Sequence, residues 1–157
     1  MERSTASGAS ARTIRIDRQF DAPRAMVFQA WIDPKQLAQW WGPKGFTNPV
    51  CEVDAHVGGG LRIIMRAPDG LEHEMKGIFQ EIVTNEKLVF SNRAVAPDGA
   101  VLLSGQTTVT FSDQGGKTRI VLETSATAMT QEAAEMLKGM DRGWSQSLER
   151  LTALVDG

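Results

Sequence analysis

TQEAAEMLKGMDRGWSQSLERLTALV, from Thr130 to Val155, is the stretch on which the architecture turns. Its apolar residues Ala133, Leu137, Met140, Trp144, Leu148, Leu151 and Val155 recur at spacings of four and three, the period of a helix with one buried face. Thr130 supplies an N-cap without the full capping box, because the glutamate falls at Glu132. The spacing predicts one continuous helix of 26 residues, about 39 Å long. Gly139 and Gly143 lie inside it, with Ser147 one step further. An interior glycine costs about 1 kcal/mol relative to alanine. Either a neighbouring element approaches closely along this strip, or side-chain volume is withheld to leave a void.

A single apolar stripe needs a partner surface, and the residues upstream provide one. TIRIDRQF (Thr13 to Phe20) alternates apolar and polar positions as a strand does. From about residue 50 to Thr127 the chain reads as consecutive strands: VCEVD, LRIIMRA, HEMKGIFQEIV, KLVFSNRAV, LSGQTTVTFS and KTRIVLETSAT. Asp69-Gly70, Thr84-Asn85-Glu86, Pro97-Asp98-Gly99 and Gln114-Gly115-Gly116 separate them as turns. Every connection is short, so an antiparallel meander is expected. Alternation directs Leu61, Ile63, Met65, Met75, Phe79, Phe90, Val109, Phe111, Ile120 and Leu122 inward.

Between the first strand and this meander stand two helix starts. Asp21 followed by Pro23 reads as a cap and an early-turn proline, opening a helix that buries Met26, Val27, Ala30 and Trp31. Asp33-Pro34 repeats the signal, and QLAQWWGPKGF then carries Leu37, Trp40 and Trp41 to a stop at Gly42-Pro43. Adjacent helical residues point about 100° apart. Trp40 and Trp41 therefore either both fill the core, or one fills it while the other closes a space.

The segments FDAPRAMVFQAWIDPKQLAQWWGP, EVDAHVGGGLRIIMRAPDG, KGIFQEIVTNEKLVF and DRGWSQSLERL, in this order and spacing, resemble the activator of heat-shock-protein-90 ATPase homologue-like family. That family belongs to the START-like, helix-grip superfamily with the birch-pollen allergen and the polyketide cyclases. The resemblance spans residues 13 to 155. It implies an α+β fold in which a curved antiparallel sheet of seven strands wraps a C-terminal helix, with a cavity between them for apolar or amphipathic small molecules. The co-chaperone namesake has an additional N-terminal domain with no counterpart in these residues, so its ATPase-stimulating activity is not expected to transfer.

Composition narrows the function further. An apolar share of 41% with 23% charged residues is that of a soluble globular chain. The net charge of -2 gives no basic face for nucleic acid. No apolar run approaches the roughly 20 residues of a membrane span. Residues 1 to 12 read as a flexible tail ahead of a domain over residues 13 to 157, and carry no secretory signal. Cys51 is the only cysteine, which excludes an intrachain disulfide and favours a cytoplasmic location. His56 and His73 are the only histidines, no zinc-ligand spacing occurs, and no metal or cofactor is expected. The glycines of VGGG lack the spacing of a phosphate loop.

These observations lead to a binding protein for a small apolar or amphipathic molecule. The expected cavity residues are Trp40, Trp41, Leu61, Ile63, Met65, Met75, Phe79, Phe90, Phe111, Met136, Met140 and Trp144. A second reading is a cyclase- or dehydratase-type enzyme, with His73 and Glu74 as its proton-transfer candidates. A third, by family analogy alone, is a stress- or chaperone-related module with a protein partner. Monomer and homodimer both fit an open sheet with a free edge.

Overall fold

The alternating segments become one seven-stranded antiparallel sheet in a computed structural model that describes residues 10–156. The strands are β1 (Ala11–Phe20), β2 (Thr47–Val53), β3 (Gly60–Arg66), β4 (Glu72–Val83), β5 (Lys87–Val95), β6 (Val101–Asp113) and β7 (Thr118–Ala128). Their order is β1-β7-β6-β5-β4-β3-β2, so β2 to β7 form the meander and β1 completes the far edge beside β7. The tail expected over residues 1 to 12 lies outside the described residues as far as position 9. Ala11 and Arg12, assigned to that tail, belong to β1 and pair with Thr127 and Ala126.

Helices α1 (Arg24–Ile32) and α2 (Pro34–Trp40) follow β1. The cap of α1 differs from expectation. Pro23 occupies the cap position with no side-chain bond. Asp21 instead ties the chain ends together, its backbone N–H donating to Asp156 Oδ1 at 2.9 Å. The helix packs through Val27, Phe28, Ala30 and Trp31, with Phe28 edge-on to Phe111 at 5.2 Å. That orientation leaves Met26 on the outer side, 48% exposed rather than buried. For α2 the reading holds: Asp33 Oδ1 accepts from the Lys35 N–H at 3.0 Å, ahead of Pro34.

The concave face of the sheet carries the core. Leu61, Ile63, Met75, Phe79, Phe90, Val109, Phe111, Ile120 and Leu122 are buried, and Met65 is half-buried. Gly77 on β4 and Gly105 on β6 face the same way. A Cβ on either would fall on the carbonyl oxygen of the next strand, Ser91 or Ser125, so the strands approach there as only glycine permits.

The continuous 26-residue helix does not form. Thr130 Oγ1 caps Ala133 N–H at 3.0 Å, but the segment it starts, Ala133–Gly139, is a 3-10 helix. The α-helix proper, α3, spans Met140–Val155, 16 residues and about 24 Å. The helix type changes at Gly139, whose φ of -95 and ψ of 5 leave the helical range, and just before it Arg12 donates to the Leu137 carbonyl at 2.8 Å and the Lys138 carbonyl at 3.2 Å. Leu137 and Ala133 then pack with Ala126 and Ala128 of β7 as a separate small cluster. Ala133 and Leu137 are both buried in the 3-10 segment, although a 3-10 turn aligns residues three apart rather than four. Beyond that segment, Leu148, Leu151 and Val155 enter the main core.

Candidate functional site

Four tryptophans are present in the chain, and all four gather beside α3. Trp31 packs edge-on against Trp40 at 4.6 Å and stacks with Trp144 at 6.2 Å. Trp41 meets Trp144 edge-on at 5.2 Å and Trp40 at 5.9 Å. Trp40 closes α2 and is fully buried, with Nε1 donating to the Ala30 carbonyl at 2.9 Å. Trp41 is the first residue past the helix, extended at φ -64 and ψ 133. The backbone turn, not helical rotation, separates the two rings.

The turn is fixed from α3. Arg150 Nη1 donates to the carbonyls of Trp41 and Gly42 at 3.0 Å and of Pro43 at 3.1 Å, while Nη2 reaches Gln39 at 3.0 Å. Burial pushes the Arg150 guanidinium down from its ordinary value, though arginine remains charged. Ser147 Oγ accepts from the Gly42 N–H at 3.0 Å and donates to the Gly143 carbonyl at 2.9 Å. Gly42 adopts φ +97 there.

A cavity of about 360 Å³ opens between this turn, the junction at Gly139 and the sheet. Trp41 and Trp144 wall one side, and Met65, Met75, Met136 and Met140 approach from the sheet and the helical segment. Gly139 and Gly143 border it; a Cβ on Gly139 would touch nothing within 4 Å, and one on Gly143 only Pro43 Cγ at 3.9 Å. Close packing is therefore not what these glycines serve. They leave the space open.

Six of the expected cavity residues stand elsewhere. Trp40, Leu61, Ile63, Phe79, Phe90 and Phe111 do not line the opening; they fill the other end of the interface between sheet and helices. There Leu148 and Leu151 come down onto the strands, and Phe79 and Phe90 meet edge-on at 6.1 Å. His73 and Glu74 both border the cavity but form no catalytic pair. His73 is exposed at the rim, its ring 6.3 Å from that of Phe46. The Glu74 carboxylate is engaged by Arg62 Nε at 2.7 Å. Among the described residues no cluster of three or more His, Cys, Asp or Glu side chains is placed to hold a metal.

Sequence reading missed Asn92, Thr107 and Thr124, whose hydroxyls and amide interrupt the apolar floor. Thr107 Oγ1 donates to Asn92 Oδ1 at 2.8 Å and lies 2.8 Å from Thr124 Oγ1. The alternation that placed Phe90 and Val109 inward also placed these three inward. They escaped notice because only apolar positions were counted.

The fold has close counterparts among solved structures. A protein from Chromobacterium violaceum is 29% identical with a TM-score of 0.76, over 92% of this chain and 97% of its own. One from Arthrobacter aurescens is 27% identical with a TM-score of 0.78, over 91% and 85%. A third, from Rhizobium loti, is 26% identical with a TM-score of 0.78, over 92% and 97%. No curated protein matches. The profile described as "Activator of Hsp90 ATPase homolog 1-like protein" matches residues 21–156, from the turn before α1 to the end of α3. The chain belongs to the activator of Hsp90 ATPase homolog 1-like family.

Proposed function

We propose that this protein is a non-enzymatic carrier or sensor of a small apolar or amphipathic molecule, held in the cavity between the helical break and the concave sheet. One observation carries the reading. At Gly139 and Gly143 side-chain volume is absent beside a space of about 360 Å³ whose walls are tryptophan and methionine. A volume of this size lies within the range of drug-sized ligand sites, about 300–1,000 Å³. Methionine side chains adapt to ligands of differing shape. The cytoplasm is the proposed location, supported by a lone, half-buried Cys51 and the absence of any disulfide. No described helix is long and apolar enough to cross a membrane.

The cyclase or dehydratase reading needs an acid or base directed into the cavity, and the rim histidine and the arginine-bound glutamate give it little support. A chaperone-related role rests on the family's description alone. Calorimetric titration with butylbenzene tests the leading reading. Saturable binding is expected to the wild type and loss of binding to Gly143→Leu, whose side chain fills the void while the thermal midpoint is kept or raised. Absence of binding to the wild type, or equal binding to the filled variant, overturns it.

A further inference from the structure

The concave face is built in rows across the strands. In one row Phe79, Phe90, Thr107 and Thr124 stand opposite one another. In the next, Asn92 faces Gly105, which faces Ala126, and continuation of the β4–β5 register sets Gly77 on the other side of Asn92. Asn92 thus stands between two glycines, with Leu61 beyond Gly77 and Ala126 beyond Gly105. Asn92, Thr124 and Ala126 line the cavity, and Thr107 and Thr124 are buried beneath it.

Asn92 Oδ1, Thr107 Oγ1 and Thr124 Oγ1 form a chain with a direction. If Thr107 donates to the Asn92 oxygen, Thr124 donates to Thr107. The Asn92 NH2 then has no partner among the described residues, and the Thr124 oxygen keeps accepting capacity. If the Asn92 amide is turned over, the chain reverses and the ends exchange roles. In both arrangements one end offers a donor and the other an acceptor. A hydroxyl or a carboxamide satisfies both, whereas an ether or ketone only accepts. Two residues bordering the cavity can carry positive charge, Arg93 and His73; both are exposed, and strand alternation turns Arg93 to the face opposite Asn92, so neither stands beside Thr124 to offset the desolvation of a carboxylate at this depth.

We infer that Asn92 and Thr124, coupled through Thr107, are the polar recognition site of the cavity and select an uncharged ligand bearing a hydroxyl or carboxamide on an apolar body. This inference rests on the binding role proposed above. It is tested with three compounds sharing one body: butylbenzene, phenylbutanol and phenylbutyrate, titrated calorimetrically at neutral pH. Asn92→Leu, close to asparagine in size, and Thr124→Val, close to threonine, are each expected to weaken phenylbutanol by about tenfold, the scale of one to two neutral hydrogen bonds. Butylbenzene should change by less than about threefold in the same variants. Phenylbutyrate should bind the wild type more weakly than phenylbutanol. Unchanged phenylbutanol affinity in both variants, or tighter binding of phenylbutyrate, overturns the selectivity while leaving the cavity role intact. Failure of butylbenzene and phenylbutanol alike overturns both. Comparing phenylbutanol with phenylbutyrate on the wild type needs no variant, so a folding defect cannot hide the outcome.

Discussion

Trp40 and Trp41 are separated by one peptide bond and by a change of environment. Trp40 ends a helix and is held by a hydrogen bond to Ala30; Trp41 begins the turn and faces the cavity. The Gly-Pro stop was legible in the sequence, since proline cannot continue the helix. The division of labour between the rings was not, because it follows from the extended backbone of Trp41 and from the Arg150 guanidinium 109 positions away. Gly42 is where this arrangement is most sensitive. Its φ of +97 disfavours any side chain, and a Cβ would stand 2.9 Å from Met65 Sδ. Gly42→Ala is expected to cost about 1–2 kcal/mol. Urea unfolding reads this as a lower midpoint at unchanged slope.

At the level of elements, most strand limits agree with alternation, and the pairing order follows from short connections. The C-terminal helix departs because periodicity reports which side of a segment is buried, not whether its turns are α or 3-10. Its break depends on Arg12, 125 positions from the carbonyl it binds, and on the alanine cluster under Leu137. Local pattern holds no trace of such partners. The glycine strip was noticed in sequence, with close approach and withheld volume both open; the distances around Gly139 and Gly143 favour the latter. Gly143→Ala is accordingly expected to raise stability by about 0.5–1 kcal/mol, the helix-propensity gain with no clash to offset it. Thermal denaturation measures it. A destabilised variant would mean that α3 lies closer to Pro43 than 3.9 Å.

Across the whole molecule, edge strand β1 is held by an ion pair near its start and another in its second half. Asp17 pairs with Arg119 of β7, and Arg12 reaches Asp141 of α3 at 3.3 Å. Hydrogen bonding from Arg119 holds the Asp17 carboxyl below its ordinary range. The backbone N–H of Arg142, and then Arg12, do the same for Asp141. Because both folded-state values are depressed, their stabilisation is present above the ordinary carboxyl range and is lost as pH falls through the folded values. The urea midpoint should therefore drop below about pH 4. Asp141→Asn should show a smaller drop, and an equal one would remove Asp141 from the account. Both carboxylates are exposed, so salt should reduce the effect.

The four indoles lie 4.6 to 6.2 Å from their neighbours in one continuous cluster. At such separations electronic excitation can pass between rings before it is emitted, so emission does not have to come from the indole that absorbed. Light absorbed anywhere in the cluster can reach Trp41 and Trp144, which border the opening. If the cavity takes the ligand proposed above, this cluster reports its occupancy optically. Emission should respond to a guest whichever ring it touches, and deleting one indole would dim the signal without revealing where the guest sits.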